Sequence, residues 1–453
     1  MISIQENKPR VREELLNLAD KNSYIPPEVY EKYDVKRGLR NANGTGVVCG
    51  ITNVASVDGY DIIDGKKLAV DGKLYYRGIS LESIVDDLLE KKRFGFEETC
   101  FLLLFGELPS ENDLRKFEKI MKEMRAFPKD FVQDVIIKIP SKNVMNKLQR
   151  ATLVMYSYDD EADNTSLENT IIQSVSLLAK LPMMMAYAYQ TMEHKYNNKS
   201  LVIHHPQDNM STAENILRLI RDNGEFTDLE AKLLDLCLVI HADHGGGNNS
   251  AFATHVVSST GTDFYSVMST AMGSLKGPKH GGANHKVIGM TNDIMANCDY
   301  NNESILESYI RKILNKDAFD RKGLIYGMGH AVYTISDPRT VILKKKALEL
   351  AKEKGKEEEF YLLNNIEKIT KKIFKEERSQ DICANVDMYS GYVYKILGIS
   401  EELFTPIFAL SRTSGWCAHR LEQIRDDKII RPAYITNLKP RAFVGIQDRK
   451  DLI

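Results

Sequence analysis

Three histidines, one aspartate and three arginines of this chain stand in short stretches rich in glycine, asparagine or proline, and chemistry is to be sought there first. His280 lies in Gly277-Pro-Lys-His-Gly-Gly-Ala-Asn284. An imidazole on an uncluttered turn exchanges protons near neutral pH, and the glycines after it let a ligand approach the backbone. An ordinary surface turn reads the same way. His330 lies in Gly327-Met-Gly-His-Ala-Val-Tyr333 and is either a second acid–base group or a turn histidine. Further on, Asp337-Pro338-Arg339 reads as a helix start, with Asp337 as the cap and Pro338 in the first helical position. A forked cation among the free amides of a helix start suits a carboxylate or phosphate, and the alternative is a surface arginine. Asp387, in Asn385-Val-Asp-Met-Tyr-Ser-Gly391, is a helix cap or a general base that its location keeps ionised. Arg412 follows the apolar run Pro406–Leu410, which predicts burial. A buried guanidinium needs an anionic partner, from the protein or from a ligand. His241-Ala-Asp-His244 supplies two more imidazoles. A metal hydrolase using both and a third histidine is a rival reading, weakened because the glutamate of the HExxH pattern is missing. Arg431-Pro432 opens the terminal segment and is uninformative alone.

These residues need elements to hold them. Phe264, Val267, Met268, Ala271, Met272 and Leu275 form one face of a helix that Lys276-Gly277-Pro278 stops, so His280 sits just past its end. Thr227 and Glu230 make a capping box for a helix with Leu229, Leu233, Leu236 and Ile240 on one face. It delivers His241 and His244 at its C-terminal end, where partial negative charge favours a protonated histidine. Ser110 with Asp113 caps another helix, and Leu181–Tyr187 is apolar all round, as in a buried helix. A short helix is expected around Val11–Ala19. Leu68–Tyr76 reads as a hairpin turned by Asp71-Gly72, and little else looks like strand. His204 and His205 read as surface residues of a loop. The charge runs Lys344–Lys346 and Lys352–Glu359 read as solvated helix faces. The expected organisation is a large helical domain over 1–280, to which 391–453 returns, and a smaller domain over 281–390. The tail, with Pro432 and Pro440, reads as an extended arm.

A chain of 453 residues is long for one core, which favours two domains. Its 43% hydrophobic and 27% charged residues are ordinary for a soluble globular protein. A net charge of −2 gives no global field for nucleic acid or an anionic membrane. No run approaches ~18 uninterrupted apolar residues. The N-terminal stretch lacks an apolar signal core and carries Glu6, Glu13, Glu14 and Asp20. The six cysteines are scattered without a CxxC, which argues for a reducing compartment and against disulfides or a thiolate zinc site. A cytoplasmic location is expected.

Taken in order, His241–His244, the string around His280, Gly327–Tyr333 followed by Asp337-Pro-Arg, Asn385–Gly391, the stretch Arg412–Gln423 and the final Arg431-Pro432 resemble citrate synthases. Lys73–Ile79 is compatible with that family but less specific. The resemblance implies a mainly α, two-domain helical fold with a small N-terminal β hairpin, a homodimer, and a small domain that closes over the substrates. It implies an enzyme that condenses acetyl-CoA with oxaloacetate to citryl-CoA and hydrolyses it to citrate and CoA, with no tightly bound cofactor and no metal. In it Asp387 removes a methyl proton of acetyl-CoA, His280 hydrogen-bonds the thioester oxygen, and His330 polarises and protonates the ketone. His244, Arg339 and Arg412 hold oxaloacetate, Arg431 reaches in from the partner subunit, and Gly327, Met328 and Gly329 seat the adenine of CoA. His241 is structural. The chain departs from the family pattern at Lys279, at Gly245 and at Tyr333-Thr334, where a basic residue for a CoA phosphate is missing. A 2-methylcitrate synthase using propionyl-CoA is the nearest alternative, and a catalytically silent CoA- or anion-binding protein is a remote one.

Overall fold

The structure, a computed structural model, describes residues 13–64 and 66–450. The chain forms two compact units, residues 50–430 and the segments flanking them on either side. In the flanking unit, the Glu13–Ser23 and Pro27–Lys32 helices precede an isolated bridge between Arg40 and Gly46. Val11, the expected start of the first helix, lies outside the described residues. Tyr33 Oη donates to Asn437 Oδ1 at 3.3 Å, joining the two chain segments of this unit. Residues 431–445 adopt no regular structure, as expected of an arm.

Residues 50–430 open with a three-stranded antiparallel sheet, Ala55–Ile63, Lys66–Tyr76 and Ile79–Ser80 in spatial order, and then run from helix to helix. The expected hairpin within Leu68–Tyr76 is not found. That stretch belongs to one continuous strand, paired with an Ala55–Ile63 strand that the sequence reading missed. Asp58, Gly59 and Asp61 blur the alternation of the first strand. Gly72 is present for a different reason. A Cβ there would stand 2.2 Å from Ser336 O, and one at Gly59 would stand 2.9 Å from Val332 O. Both glycines let the loop after His330 lie on the sheet, where Gly72 N–H donates to Ser336 Oγ at 3.1 Å and Tyr333 Oη donates to Lys73 O at 3.2 Å.

The capping residues predicted from sequence are in place. Ser110 accepts from Asp113 N–H, and the Thr227–Glu230 box is reciprocal. The Leu167–Asn197 helix is long and apolar enough to cross a membrane, but 83% of its apolar window is buried in the fold. Its faces pack on the Val144–Val154, Thr212–Ile220 and Phe404–Asp426 helices. Phe404–Asp426 is the hub of the site, touching the helices Phe96–Phe105, Asp228–His241, Asn249–Ser258 and Phe264–Lys276. Pro338–Lys354 and Ala283–Asn297 both pack on Asp387–Ile396.

Candidate active site

The turn after the Phe264–Lys276 helix is held by His280 N–H donating to Gly277 O at 2.9 Å. A Cβ at Gly281 would stand 2.4 Å from Leu275 O and 2.8 Å from Thr405 Cγ2, so glycine there is a packing requirement that fixes the turn. His280 Nε2 lies 3.1 Å from Asn248 Oδ1 and 3.2 Å from Ser250 Oγ. Trp416 Nε1–H donates to the same Ser250 oxygen at 3.1 Å. The Ser250 hydroxyl proton then serves either Asn248 Oδ1, 2.8 Å away, or the imidazole. When it serves the imidazole, the ring proton sits on Nδ1. Burial, aided by the charge of Arg412, lowers His280 to about 4, so the ring is neutral at pH 7.

Arg412 is 1% exposed. Its Nε donates to His241 O at 2.7 Å, and its guanidinium carbon lies 4.7 Å from the Phe408 ring centre. Nη1 and Nη2 are buried with no hydrogen-bond partner among the described residues. Burial lowers its pKa to about 10, opposed by Asp243, and the group stays charged at neutral pH. Two buried donors without acceptors are costly, and a carboxylate satisfies both. His244 is also buried, and its Nε2 likewise has no partner among the described residues. Burial, then Arg339, His330 and Arg412, hold it well below the usual histidine range. The expectation that the helix end would favour protonated histidines is therefore corrected. Burial outweighs the helix end, and His241 falls to about 3 for the same main reason. His241 faces the core, with Nδ1 2.6 Å from Cys237 O and its ring edge-on to Phe408.

Arg339 is buried rather than on the surface. Asp337 caps its helix by accepting Arg339 N–H, and also holds the guanidinium, with Nε–Oδ1 at 3.0 Å and Nη2–Oδ2 at 2.7 Å. Nη1 lies outside that fork. Asp387 is the first residue of the Asp387–Ile396 helix, which has no side-chain cap at Val386. Its own N–H is taken by Asn385 Oδ1 at 3.1 Å, so Asn385 supplies the acceptor for this amide of the first turn. Burial raises its carboxyl to about 6, against the lowering charges of Arg339 and Arg412. The location thus works against ionisation, contrary to the sequence reading, yet leaves the carboxylate the major form at pH 7.

His330 is positioned from both sides. Its Nδ1 accepts Val332 N–H and Tyr333 N–H, each at 3.0 Å, which places the ring proton on Nε2. Its ring stacks on Tyr333 at 4.6 Å and meets His244 edge-on at 5.0 Å. The backbone before it pairs with the segment leading to Asp387. Gly329 N–H donates to Cys383 O, Asn385 N–H to Gly327 O, and Asn385 Nδ2 to Gly329 O. Met328 forms the bridge with Ala384. Gly327–Gly329 therefore couples His330 to Asp387, and several of its polar groups are already engaged. Ser390 donates to Asn284 Oδ1 at 3.1 Å, which ties the motif after His280 to the one holding Asp387.

A family model described as "citrate synthase, C-terminal domain" matches residues 42–433. The chain belongs to the citrate synthase family. The citrate synthase of Deinococcus radiodurans is 36% identical over 383 residues, 84% of this chain and 94% of that protein. A 2-methylcitrate synthase of Shewanella oneidensis is 30% identical, covering 83% of this chain and 92% of that protein. Among solved structures, the citrate synthase of Thermoplasma acidophilum in ternary complex with carboxymethyl coenzyme A and oxaloacetate superposes with a TM-score of 0.74 at 25% identity, covering 91% of this chain and 99% of that chain. Citrate synthase membership makes this an acyl-transferring condensation enzyme of mainly α fold, with acetyl-CoA as co-substrate and no tightly bound cofactor.

Arg412 is the common neighbour of the assembled groups, its charge being felt by His244, His280 and Asp387. Arg431 is exposed and opens the other compact unit. Ser250, Trp416 and Asn385 were not singled out from sequence as site residues. Trp416 and Asn385 lie within motifs already noted and Ser250 lies outside them, and the role of each is a hydrogen bond that its local sequence does not announce.

Proposed function

We propose that this chain condenses acetyl-CoA with oxaloacetate to citryl-CoA and hydrolyses that thioester to citrate and CoA. The observation that carries the reading is the pair of buried terminal nitrogens of Arg412, without a hydrogen-bond partner among the described residues, beside His244 Nε2, which likewise has none among them. A small dicarboxylate satisfies both, with Arg339 Nη1 on the second carboxylate. Asp387 takes a methyl proton from acetyl-CoA while His280, neutral and donating from Nδ1, hydrogen-bonds the thioester oxygen. A carboxylate is a weak base for a carbon acid, so the developing oxyanion must be stabilised in the same step. The enol carbon bonds to the ketone carbon, and the ketone oxygen takes the proton of His330 Nε2. Water then cleaves the thioester and releases CoA.

His330, Arg339 and Asp387 belong to residues 281–390, and His244 and Arg412 lie outside them. We read 281–390 as the domain that closes over bound oxaloacetate, excluding water until the carbon–carbon bond has formed. The adenine of CoA is assigned to Gly327, Met328 and Gly329, through the backbone groups that the pairing with 383–385 leaves over. The working unit is a homodimer, with Arg431 completing the partner's oxaloacetate site. Six free cysteines support a reducing, cytoplasmic setting.

The test is CoA thiol release from acetyl-CoA with and without oxaloacetate. Release only with oxaloacetate supports the reading, and none from a folded sample sinks it. Propionyl-CoA runs in parallel, because one methylene is worth only about 1–3 kcal/mol of discrimination and the Shewanella relative is named for that chemistry. Oxaloacetate binding without turnover would leave the silent binder.

A further inference from the structure

Asp243, which precedes His244, leads to a polar cluster that the condensation does not use. His419 Nε2 lies 3.2 Å from Asp243 Oδ1 and 3.3 Å from Oδ2. A carboxylate only accepts, so this nitrogen of His419 carries the proton. His255 Nδ1 lies 2.9 Å from Gln423 Oε1. That amide is oriented by its nitrogen, which faces Asp426 Oδ2 and Lys428 O, so its oxygen faces the ring and His255 Nδ1 also carries a proton. The remaining nitrogens, His255 Nε2 and His419 Nδ1, both present lone pairs, and they face each other at 3.1 Å. Two lone pairs do not sit so close unless a cation lies between them, either a metal ion or a proton.

The third member is Glu422. Its Oε2 is 4.0 Å from His419 Nδ1 and accepts from Thr52 Oγ1 at 2.7 Å. Its Oε1 accepts Asn53 N–H at 2.8 Å and lies 3.6 Å from Arg77 Nη1. One ligand atom from each of His255, His419 and Glu422 falls within 4.8 Å of the others. Nitrogens at about 2.0–2.1 Å from one tetrahedral ion stand about 3.3 Å apart, close to the spacing seen here. Imidazole with carboxylate is a donor set for zinc, cobalt, nickel or copper rather than calcium or magnesium. Both imidazoles already have the outer hydrogen-bond partner that ligating histidines use to fix the tautomer. Gly246 lies beside the donors, where a Cβ would make ordinary contact with His255 Nε2 at 3.4 Å and Thr52 Cγ2 at 3.5 Å.

We propose that His255, His419 and Glu422 bind one divalent transition-metal ion of the zinc class at a site apart from the condensation chemistry. The ion links the Asn249–Ser258 helix to the end of the Phe404–Asp426 helix. It is an accessory, reversible ligand that turnover does not require.

The experiment titrates cobalt(II) chloride into the metal-stripped full-length protein and reads the ligand-field absorption of a tetrahedral ion. One equivalent is expected, displaced by zinc and abolished by His255→Gln. Gln423→Leu removes the partner that orients His255 and weakens binding about 10–100-fold. It also serves if His255→Gln does not fold. Wild-type protein without the tetrahedral bands, or equal cobalt binding in wild type and both variants, overturns the proposal and assigns a shared proton to the pair. Neither result touches the condensation reading, which rests on thiol release.

Discussion

In the proposed mechanism Asp387 is the base, and its environment dictates a pH signature. Burial raises it to about 6, whereas His280 is lowered to about 4 and His244 lies well below its usual value. The base must be ionised to accept a proton, so kcat/KM is expected to be flat just above neutrality and to fall as the pH drops through about 6. At the limit the fall is tenfold per pH unit, because one proton inactivates the free enzyme. A profile that stays flat down to pH 5 would remove Asp387 from the role of base. Asp387→Asn is expected to lower kcat by about 10²–10⁴-fold, with oxaloacetate affinity by calorimetry within a few-fold of wild type. Normal turnover in that variant would be equally damaging. Ser250→Ala tests how His280 is held. Without the hydroxyl, only the Asn248 arrangement remains and the ring proton stays on Nε2, so kcat should fall by about tenfold or more while KM for oxaloacetate barely moves. The sequence singled out His280, His330 and Asp387 as candidates because they stand in glycine- and asparagine-containing motifs, and the family resemblance gave them roles. It could not show the protonation of His241 and His244, because helix position is local and burial belongs to the whole fold.

The elements were legible where their signals were local. The Thr227–Glu230 box, the Asp337-Pro338 helix start and the apolar face from Phe264 to Leu275 depend on neighbours within a turn or two, and all three formed. The strands were legible only in part: Leu68–Tyr76 reads as β structure but turned at Gly72, which answers instead to a loop far along the chain. This gives an element-scale prediction. Gly281→Ala places a Cβ against Leu275 O at 2.4 Å, a backbone atom that cannot swing aside. The turn carrying His280 must shift, and steady-state kinetics should show kcat reduced far more than the affinity for oxaloacetate, whose ligands stand on other elements. Gly72→Ala presses on Ser336 O and the Tyr333 ring, and so on the loop that gives His330 its two N–H donors. Its effect should appear in the ketone-protonating step as well as in thermal stability. If both variants behaved as wild type, the loops would be softer than this packing implies and glycine at these positions would be incidental.

At the scale of the whole molecule the question is who completes the site. Tyr434, Phe443 and Ile446 of the tail leave 94%, 86% and 77% of their surface exposed. Apolar side chains this exposed fit the proposed homodimer, in which a partner would cover them, and Arg431 begins that arm. Arg431→Ala should therefore raise KM for oxaloacetate, by about 10–150-fold for one hydrogen-bonded charge at 1.5–3 kcal/mol, with little change in melting temperature. Mixed dimers decide where Arg431 acts. Arg431→Ala and Asp387→Asn protein are unfolded together and refolded, so that half of the dimers are hybrids. If Arg431 serves the partner's site, one site in each hybrid carries both lesions and the other carries neither. Activity then returns to about one quarter of wild type at low oxaloacetate. If Arg431 serves its own subunit, every site in every hybrid keeps one lesion and nothing returns. Recovery can arise only from an intact site assembled from two chains, whatever either substitution does to stability.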